Sequence, residues 1–280
     1  MNKWHMIIDV ERCEDCNCCF LACKDEHVDN DFLPFSLSQP KHIHRWINIL
    51  RKERGQFPLI DIAYLPKPCM HCDNAPCIKN AADNAVYKRD DGIVVLDPIR
   101  SKGQQHLVDS CPYGAIWWND EKKIPQKCGF CVHLLNDGWE RTRCAQACPT
   151  GALTILHIED SEMGKIVQDE SLEVLHPEYQ TKPRVYYKNL YRYLKCFISG
   201  TVASAHDGIE DCVDGALVVL HRDGKKFLET KTDTFGDFKF DKLEPNSGPY
   251  TISIESDENA LVKEINLEKS LTIGKILIKP

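Results

Sequence analysis

The chain has 280 residues and a formal net charge of −7, with 42 Asp and Glu against 35 Lys and Arg, an acidity that argues against a nucleic acid partner. It is long enough for two domains with cores of their own, and no apolar run approaches the roughly 20 residues that a membrane span needs. The 15 cysteines are odd in number, Cys18 and Cys19 are adjacent, and Met1-Asn-Lys-Trp-His-Met-Ile-Ile-Asp is too short and polar for a secretory leader, which sets disulfides aside and makes the cytoplasm the expected location.

In chain order, Met6-Ile-Ile-Asp-Val10 reads as a short strand feeding Cys13, Cys16, Cys19 and Cys23, spaced C-x2-C-x2-C-x3-C. Residues 24–68 form a long insertion. Its His42, His44, Arg45, Trp46 and Arg51-Lys-Glu-Arg54 read as a solvated face with core aromatics, the alternative being a docking surface for a partner. Cys69, Cys72 and Cys77 follow as C-x2-C-x4-C, and Ile93-Val-Val-Leu-Asp97, after Asp91-Gly92, reads as a short strand. Cys111 precedes Pro112, and Cys128, Cys131, Cys144 and Cys148 read C-x2-C-x12-C-x3-C before Pro149. Cys111-Pro-Tyr-Gly-Ala-Ile-Trp and Cys148-Pro-Thr-Gly-Ala-Leu-Thr repeat one pattern of stop, glycine turn and apolar strand, the mark of a duplicated ferredoxin module.

Residues 159–180 are acidic and helix-like, with Ile166, Val167, Leu172, Val174 and Leu175 as apolar points and Pro177 as the stop. Residues 181–197 contain no acid. Lys182, Arg184, Lys188, Arg192 and Lys195 alternate there with Tyr186, Tyr187, Tyr191, Tyr193 and Phe197, and the expectation is a linker packed on the preceding domain or on another subunit. From 198 the pattern has period two, with candidate strands at 198–204, 214–222, 226–232, 235–240, 249–255, 260–266 and 272–278 and turns at Asp223-Gly224, Gly236-Asp237 and Asn246-Ser-Gly-Pro249. This predicts a small seven-stranded β-sandwich or barrel. No grouping of His, Ser or carboxylate in it looks catalytic, so its expected role is structural or docking.

Four thiolates hold one cubane iron–sulfur cluster. In two-cluster ferredoxins three cysteines of a run bind one cluster and the fourth, before a proline, reaches the other. On that rule Cys13, Cys16 and Cys19 take Cys148; Cys128, Cys131 and Cys144 take Cys23; and Cys69, Cys72 and Cys77 take Cys111. A fourth set is absent as a unit. The step after Cys77 lands on Ala81, followed by Ala82 where proline is expected, and counting back from Cys111 gives Leu107, Gln104 and Ser101. Zinc accounts for isolated C-x2-C pairs but not for the Cys-Pro repeats or the joint loss of one set. Cys18, Cys196 and Cys212 are left over and read as inert thiols. His71 and His133 lie inside the cysteine loops and read as neighbours of the clusters or solvent-facing residues rather than ligands, because the thiolate count is complete.

These motifs resemble, over residues 1–158, the iron–sulfur electron-transfer subunits of the molybdopterin oxidoreductases, the dimethyl sulfoxide reductase group. Lys67-Pro-Cys-Met-His-Cys-Asp-Asn-Ala-Pro-Cys77, Lys182-Pro-Arg-Val-Tyr-Tyr-Lys-Asn-Leu-Tyr-Arg192, Thr234-Phe-Gly-Asp-Phe-Lys-Phe-Asp241, the missing set and the appended β-region are similar to the small subunits of the pyrogallol–phloroglucinol transhydroxylase family. One departure is the regular Cys148-Pro-Thr-Gly-Ala. The resemblance implies an α+β fold: a duplicated bacterial-ferredoxin-like domain with three [4Fe-4S] clusters (1–158), a helical and basic-aromatic linker (159–197) and the β-domain (198–280). It implies a large partner subunit holding molybdenum bis(molybdopterin guanine dinucleotide), in a heterodimer or a higher assembly of it, that converts pyrogallol to phloroglucinol. No catalytic residue is then expected on this chain. A resorcinol-type hydroxylase would have a very similar small subunit, and the competing reading is a free polyferredoxin carrier. A subunit of this kind can also cross a membrane folded, carried by a partner that bears the signal.

Overall fold

The computed structural model describes residues 1–206, 209–254 and 261–278. Strands dominate, and among the described residues no helix is long and apolar enough to cross a membrane. The chain divides into two units, one built from Met1–Leu50 and Tyr64–Leu190, the other from Arg51–Ala63 and the chain from Tyr191 onward.

In the first unit, Lys3–Asp9 is the central strand of a three-stranded sheet. It runs antiparallel to Leu153–Ile158, with Met6 opposite Ile155, and parallel to Val185–Lys188, with Ile7 opposite Tyr186. Both faces of this strand are covered: Met6 and Ile8 on one face are fully buried, and His5 and Ile7 on the other are buried too. Met163 and Ile166 of the helix Asp160–Asp169 pack on Ile7, Leu156 and Leu172. Asp160 and Glu162 in the first turn of this helix oppose its dipole.

The helix ends at Asp169, well before the Pro177 that the sequence suggests as its stop. Ser171 takes φ 51°, Leu172 N–H donates to Val167 O at 2.9 Å and Ser171 N–H to Gln168 O at 3.3 Å, the paired bonds of a Schellman C-cap. Pro177 instead opens the 3-10 turn Pro177–Tyr179. The basic-aromatic segment is in part a sheet strand, and its Tyr187 is fully buried with its hydroxyl donating to Pro66 O at 3.1 Å.

The second unit holds two sheets on one core. One sheet has Cys196–His206 at its centre, paired with Ile209–Cys212, Asp237–Leu243 and, in parallel, Leu271–Ile278. The other runs Lys225–Lys231, Leu217–Arg222, Gly248–Ile254, Leu261–Leu267. Ile198, Val202, Val218, Leu220, Phe238 and Ile252 fill the shared interior. The sheets do not close on each other, so the β-region is a sandwich and the barrel alternative is corrected. Ile209–Cys212 is a further strand whose residues are all exposed, so it carries no alternating pattern. Residues 255 and 260, the ends of two expected strands, lie outside the described residues.

The insertion holds a hairpin, Asn48–Gln56 with Leu59–Lys67. At its tip Gly55 has φ 83°, and a Cβ there would stand 2.5 Å from Leu59 O and 2.5 Å from Phe197 Cζ, so glycine is required for both conformation and space. Arg54 is not on a solvated face. It is 2% exposed and ion-pairs with Asp61 and with Asp241, the latter at 3.1 Å.

Candidate metal centres

The cysteine loops bend through left-handed backbone at non-glycine residues: Asp15 and Asn17 in the first, His71 in the second, Phe130 and Cys131 in the third. Such turns aim successive N–H groups into a concavity suited to an anion. After each Cys-Pro step Gly114 and Gly151 take φ 60° and 66°, and their N–H groups donate back to Cys111 O and Cys148 O. The two repeats of the sequence therefore make the same turn.

The fold brings cysteines of different runs near one another. Burial raises the Cys13 thiol and the neighbouring Cys148 and Cys16 raise it further; burial, then Cys144, Cys13 and Cys148, push Cys19 to about 12. Burial, then Cys128 and Cys144, raise Cys23 well above its ordinary range, and burial with Cys144, Cys128 and Cys23 does the same to Cys131. Burial raises Cys144 too. Cys72 is pushed to about 12 by burial and then by Cys69, Cys111 and Cys77. Cys69, Cys72, Cys77 and Cys111 line one cavity, together with Val94, Tyr113 and Lys127.

Hydrogen bonds reach several sulfurs. Ala115 N–H donates to Cys111 Sγ at 3.5 Å, Phe130 N–H to Cys128 Sγ at 3.4 Å and Gln39 Nε2 to Cys23 Sγ at 3.8 Å. Thr142 Oγ1 lies 3.2 Å from Cys144 Sγ. Burial works against Cys148, but the Thr150 hydroxyl and the backbone of Leu153, Ala152 and Thr150 outweigh it and lower that thiol. The Thr181 hydroxyl near Cys72 opposes its upward shift.

The donor set fits iron–sulfur clusters. Buried thiols held protonated become ligands only when a metal displaces the proton, and hydrogen bonds to sulfur with a closed apolar wall are what tune a cluster. Among the described residues no three His, Cys, Asp or Glu side chains converge on a single ion. A cubane does not ask for that, because its four thiolates bind four separate irons.

The residues of the missing set also meet. Gln104 Oε1 accepts from Ala82 N–H at 3.0 Å, and Gln104 Nε2 donates to Ala82 O at 3.3 Å and to Arg100 O at 3.0 Å. Ser101 and Leu107 are fully buried, and His106 Nε2 lies 3.0 Å from Asn80 O.

Neither loop histidine faces solvent. His71 is 2% exposed, its Nδ1 accepting from Val94 N–H at 3.1 Å, and burial holds it well below the usual imidazole range. His133 is half-buried and pairs with Glu26 at 2.9 Å. Of the insertion residues, His44 is buried with Nε2 2.9 Å from Trp118 O, Trp46 is buried, Arg45 stacks on Phe20 and His42 is exposed. Cys18 lies beside Cys16, Cys196 belongs to the core of the sandwich and Cys212 is exposed.

Sequence reading missed Lys127. It is 4% exposed and its ammonium donates to Val94 O and, at 3.0 Å, to Cys128 O. The only signal was its place directly before Cys128.

A family profile described as "4Fe-4S dicluster domain" matches residues 60–158. The pyrogallol hydroxytransferase small subunit of Pelobacter acidigallici is 44% identical over 280 residues, 99% of this chain and 99% of its own. A tetrathionate reductase subunit of Salmonella typhimurium is 33% identical over 68% of this chain and 73% of its own. A sulfite dehydrogenase subunit of Allochromatium vinosum is 30% identical over 67% and 83%. Among solved structures, Klebsiella pneumoniae 5-hydroxyisourate hydrolase is similar over 30% of this chain and 85% of its own, at 17% identity and a TM-score of 0.26.

Proposed function

Since this chain belongs to the family of the pyrogallol hydroxytransferase small subunit, we propose that it is the electron-transfer subunit of a molybdenum enzyme acting on polyhydroxylated aromatics. Three [4Fe-4S] clusters are assigned to it, in a duplicated ferredoxin-like domain over residues 1–158. Residues 159–197 serve as the linker, and the β-domain that follows has a structural or docking role. The first cluster is assigned to Cys13, Cys16, Cys19 and Cys148, the second to Cys23, Cys128, Cys131 and Cys144, and the third to Cys69, Cys72, Cys77 and Cys111. The observation that carries this reading is the third group, four thiols lining one cavity although Cys111 is far from the others in sequence.

When bound, a cluster supplies storage and transfer of one electron at a potential set by its surroundings. The chain's own residues supply those surroundings. Thr142, Gln39 and the Phe130 and Ala115 amides direct hydrogen bonds at the thiolates, and Val94, Ile116 and Met70 wall the third group. The catalytic centre is assigned to a large partner carrying molybdenum bis(molybdopterin guanine dinucleotide), at least as a heterodimer. The proposed location is the cytoplasm, where thiols stay reduced. Moving a hydroxyl from pyrogallol to phloroglucinol is redox-neutral overall, so the clusters are not required to conduct at every turnover.

Native purification with metal analysis and mass spectrometry of the co-eluting chains tests this. About twelve irons per chain, molybdenum and a large second subunit are expected. An iron-free or solitary chain that is active by itself contradicts it.

A further inference from the structure

Neighbouring thiols order the three groups as a row, with the second next to each of the others. The first meets the second through Cys19 and Cys144, and the second meets the third through Cys128 and Cys69. The positions of the missing fourth set are closed by protein contacts: Gln104 clasps Ala82 by both of its backbone polar groups, and Leu107 is fully buried. The segment after the helix Asp160–Asp169 lies against the loop of the third group. Asn74 N–H donates to Thr181 O at 2.9 Å and Asp73 N–H to Lys182 O at 2.8 Å. Tyr113, on the cavity wall, shares a 2.7 Å hydrogen bond with the Thr181 hydroxyl.

Charge changes along the row. Glu11-Arg-Cys-Glu-Asp15 puts three carboxylates against one guanidinium beside Cys13, and Cys16 is exposed. At the other end Lys127 lines the cavity of the third group, is almost completely buried, and pairs with no carboxylate among the described residues. A buried ammonium satisfied by carbonyls alone is costly unless an anion faces it, and the cavity it lines is the one with four thiols. Lys67, donating to Tyr113 O at 2.6 Å, adds a second cation on that side. Positive charge and hydrogen bonds near sulfur favour the reduced, more negative cluster.

We propose that the third cluster is the closed, electron-holding end of the row, and that Lys127 is the positioning residue that sets its potential above those of the other two. This rests on the cluster assignment above. The step concerned is a bare electron transfer: the second cluster is reoxidised as the third is reduced, with no bond made or broken. The donor upstream is the partner's metal centre or, in vitro, dithionite. The row then stores an electron at its sealed end and returns it through the first cluster, rather than passing it out where a fourth would stand.

The test is an EPR-monitored redox titration of the native complex and of its Lys127→Met, Lys127→Arg and Thr181→Val variants, each with its iron content measured. The third cluster is identified as the signal that Thr181→Val moves, since the Thr181 hydroxyl stands beside Cys72 and Tyr113 of that group. It should be the highest-potential signal of the wild type. Lys127→Met should lower its reduction equilibrium about tenfold, ~59 mV for one electron, with less effect on the second cluster and none on the first, and Lys127→Arg should restore it. An unmoved potential in Lys127→Met at full iron content, or a Thr181-sensitive signal that is lowest of the three, overturns the inference. Should Lys127→Met lose iron, the wild-type ranking together with Lys127→Arg and Thr181→Val decides. An iron-free wild-type complex would instead overturn the cluster assignment itself.

Discussion

Arg54 has 1% of its side chain exposed between Asp61 and Asp241, and Asp61 also takes Arg192 at 2.8 Å. Burial works to raise Asp61, but the hydrogen bonds and charges of Arg54 and Arg192 prevail and hold it at about 2. A carboxyl depressed on folding contributes stability that is complete above its unfolded value, about 3.9, and is lost as pH falls through the folded one. At neutral pH the network therefore acts in full. Arg54→Met should cost about 3–5 kcal/mol, because it leaves half-buried carboxylates without their main partner, and Arg54→Lys should cost less. Urea unfolding at pH 7 followed by far-UV circular dichroism measures this. A loss under about 1 kcal/mol would show that the pair is no more than a surface ion pair.

Among the elements, those punctuated by local chemistry were readable. The two Cys-Pro-x-Gly turns announce themselves because proline fixes φ and glycine permits the left-handed backbone that the turn needs. The helix end at Ser171 did not, because a serine in left-handed backbone carries none of the glycine or asparagine signal of a C-cap. The hairpin Asn48–Lys67 was hidden for another reason. Its Arg51-Lys-Glu-Arg54 looks solvated until Asp61 and Asp241 are placed beside it, and those partners are remote in sequence. The missing cysteine set was legible in advance as Ala81, Ser101, Gln104 and Leu107, yet its replacement by a glutamine clasp on Ala82 was not. It follows that Ala81→Cys alone should bind no more iron than the wild type, since Ser101, Gln104 and Leu107 supply no thiolates. Iron analysis of the purified variant checks this, and a gain of about four irons per chain would contradict the pairing rule.

Across the whole molecule, the cysteine pattern was legible because ligand spacing is a short-range property that the sequence writes directly. The pairing of distant runs needed one further rule, that the fourth cysteine of a run serves the other cluster. Burial could not be read in that way. Lys127 and Thr181 look like ordinary surface residues in the sequence and become neighbours of the third group only when strand, turn and linker are assembled around it. The period-two pattern gave the β-region its class, while sandwich or barrel depended on strand pairing that no single strand encodes.

The interlocked pairing is the central claim, and EPR spectroscopy of a Cys23→Ser variant of the native complex tests it most directly. Cys23 is adjacent in sequence to Cys13, Cys16 and Cys19 but stands against Cys128, Cys144 and Cys131 in space. The account predicts that the signal altered is the one that Cys131→Ser also alters, with the signal altered by Cys13→Ser intact. If Cys23→Ser instead perturbs the cluster of its own run and leaves the Cys131 signal unchanged, the pairing is wrong.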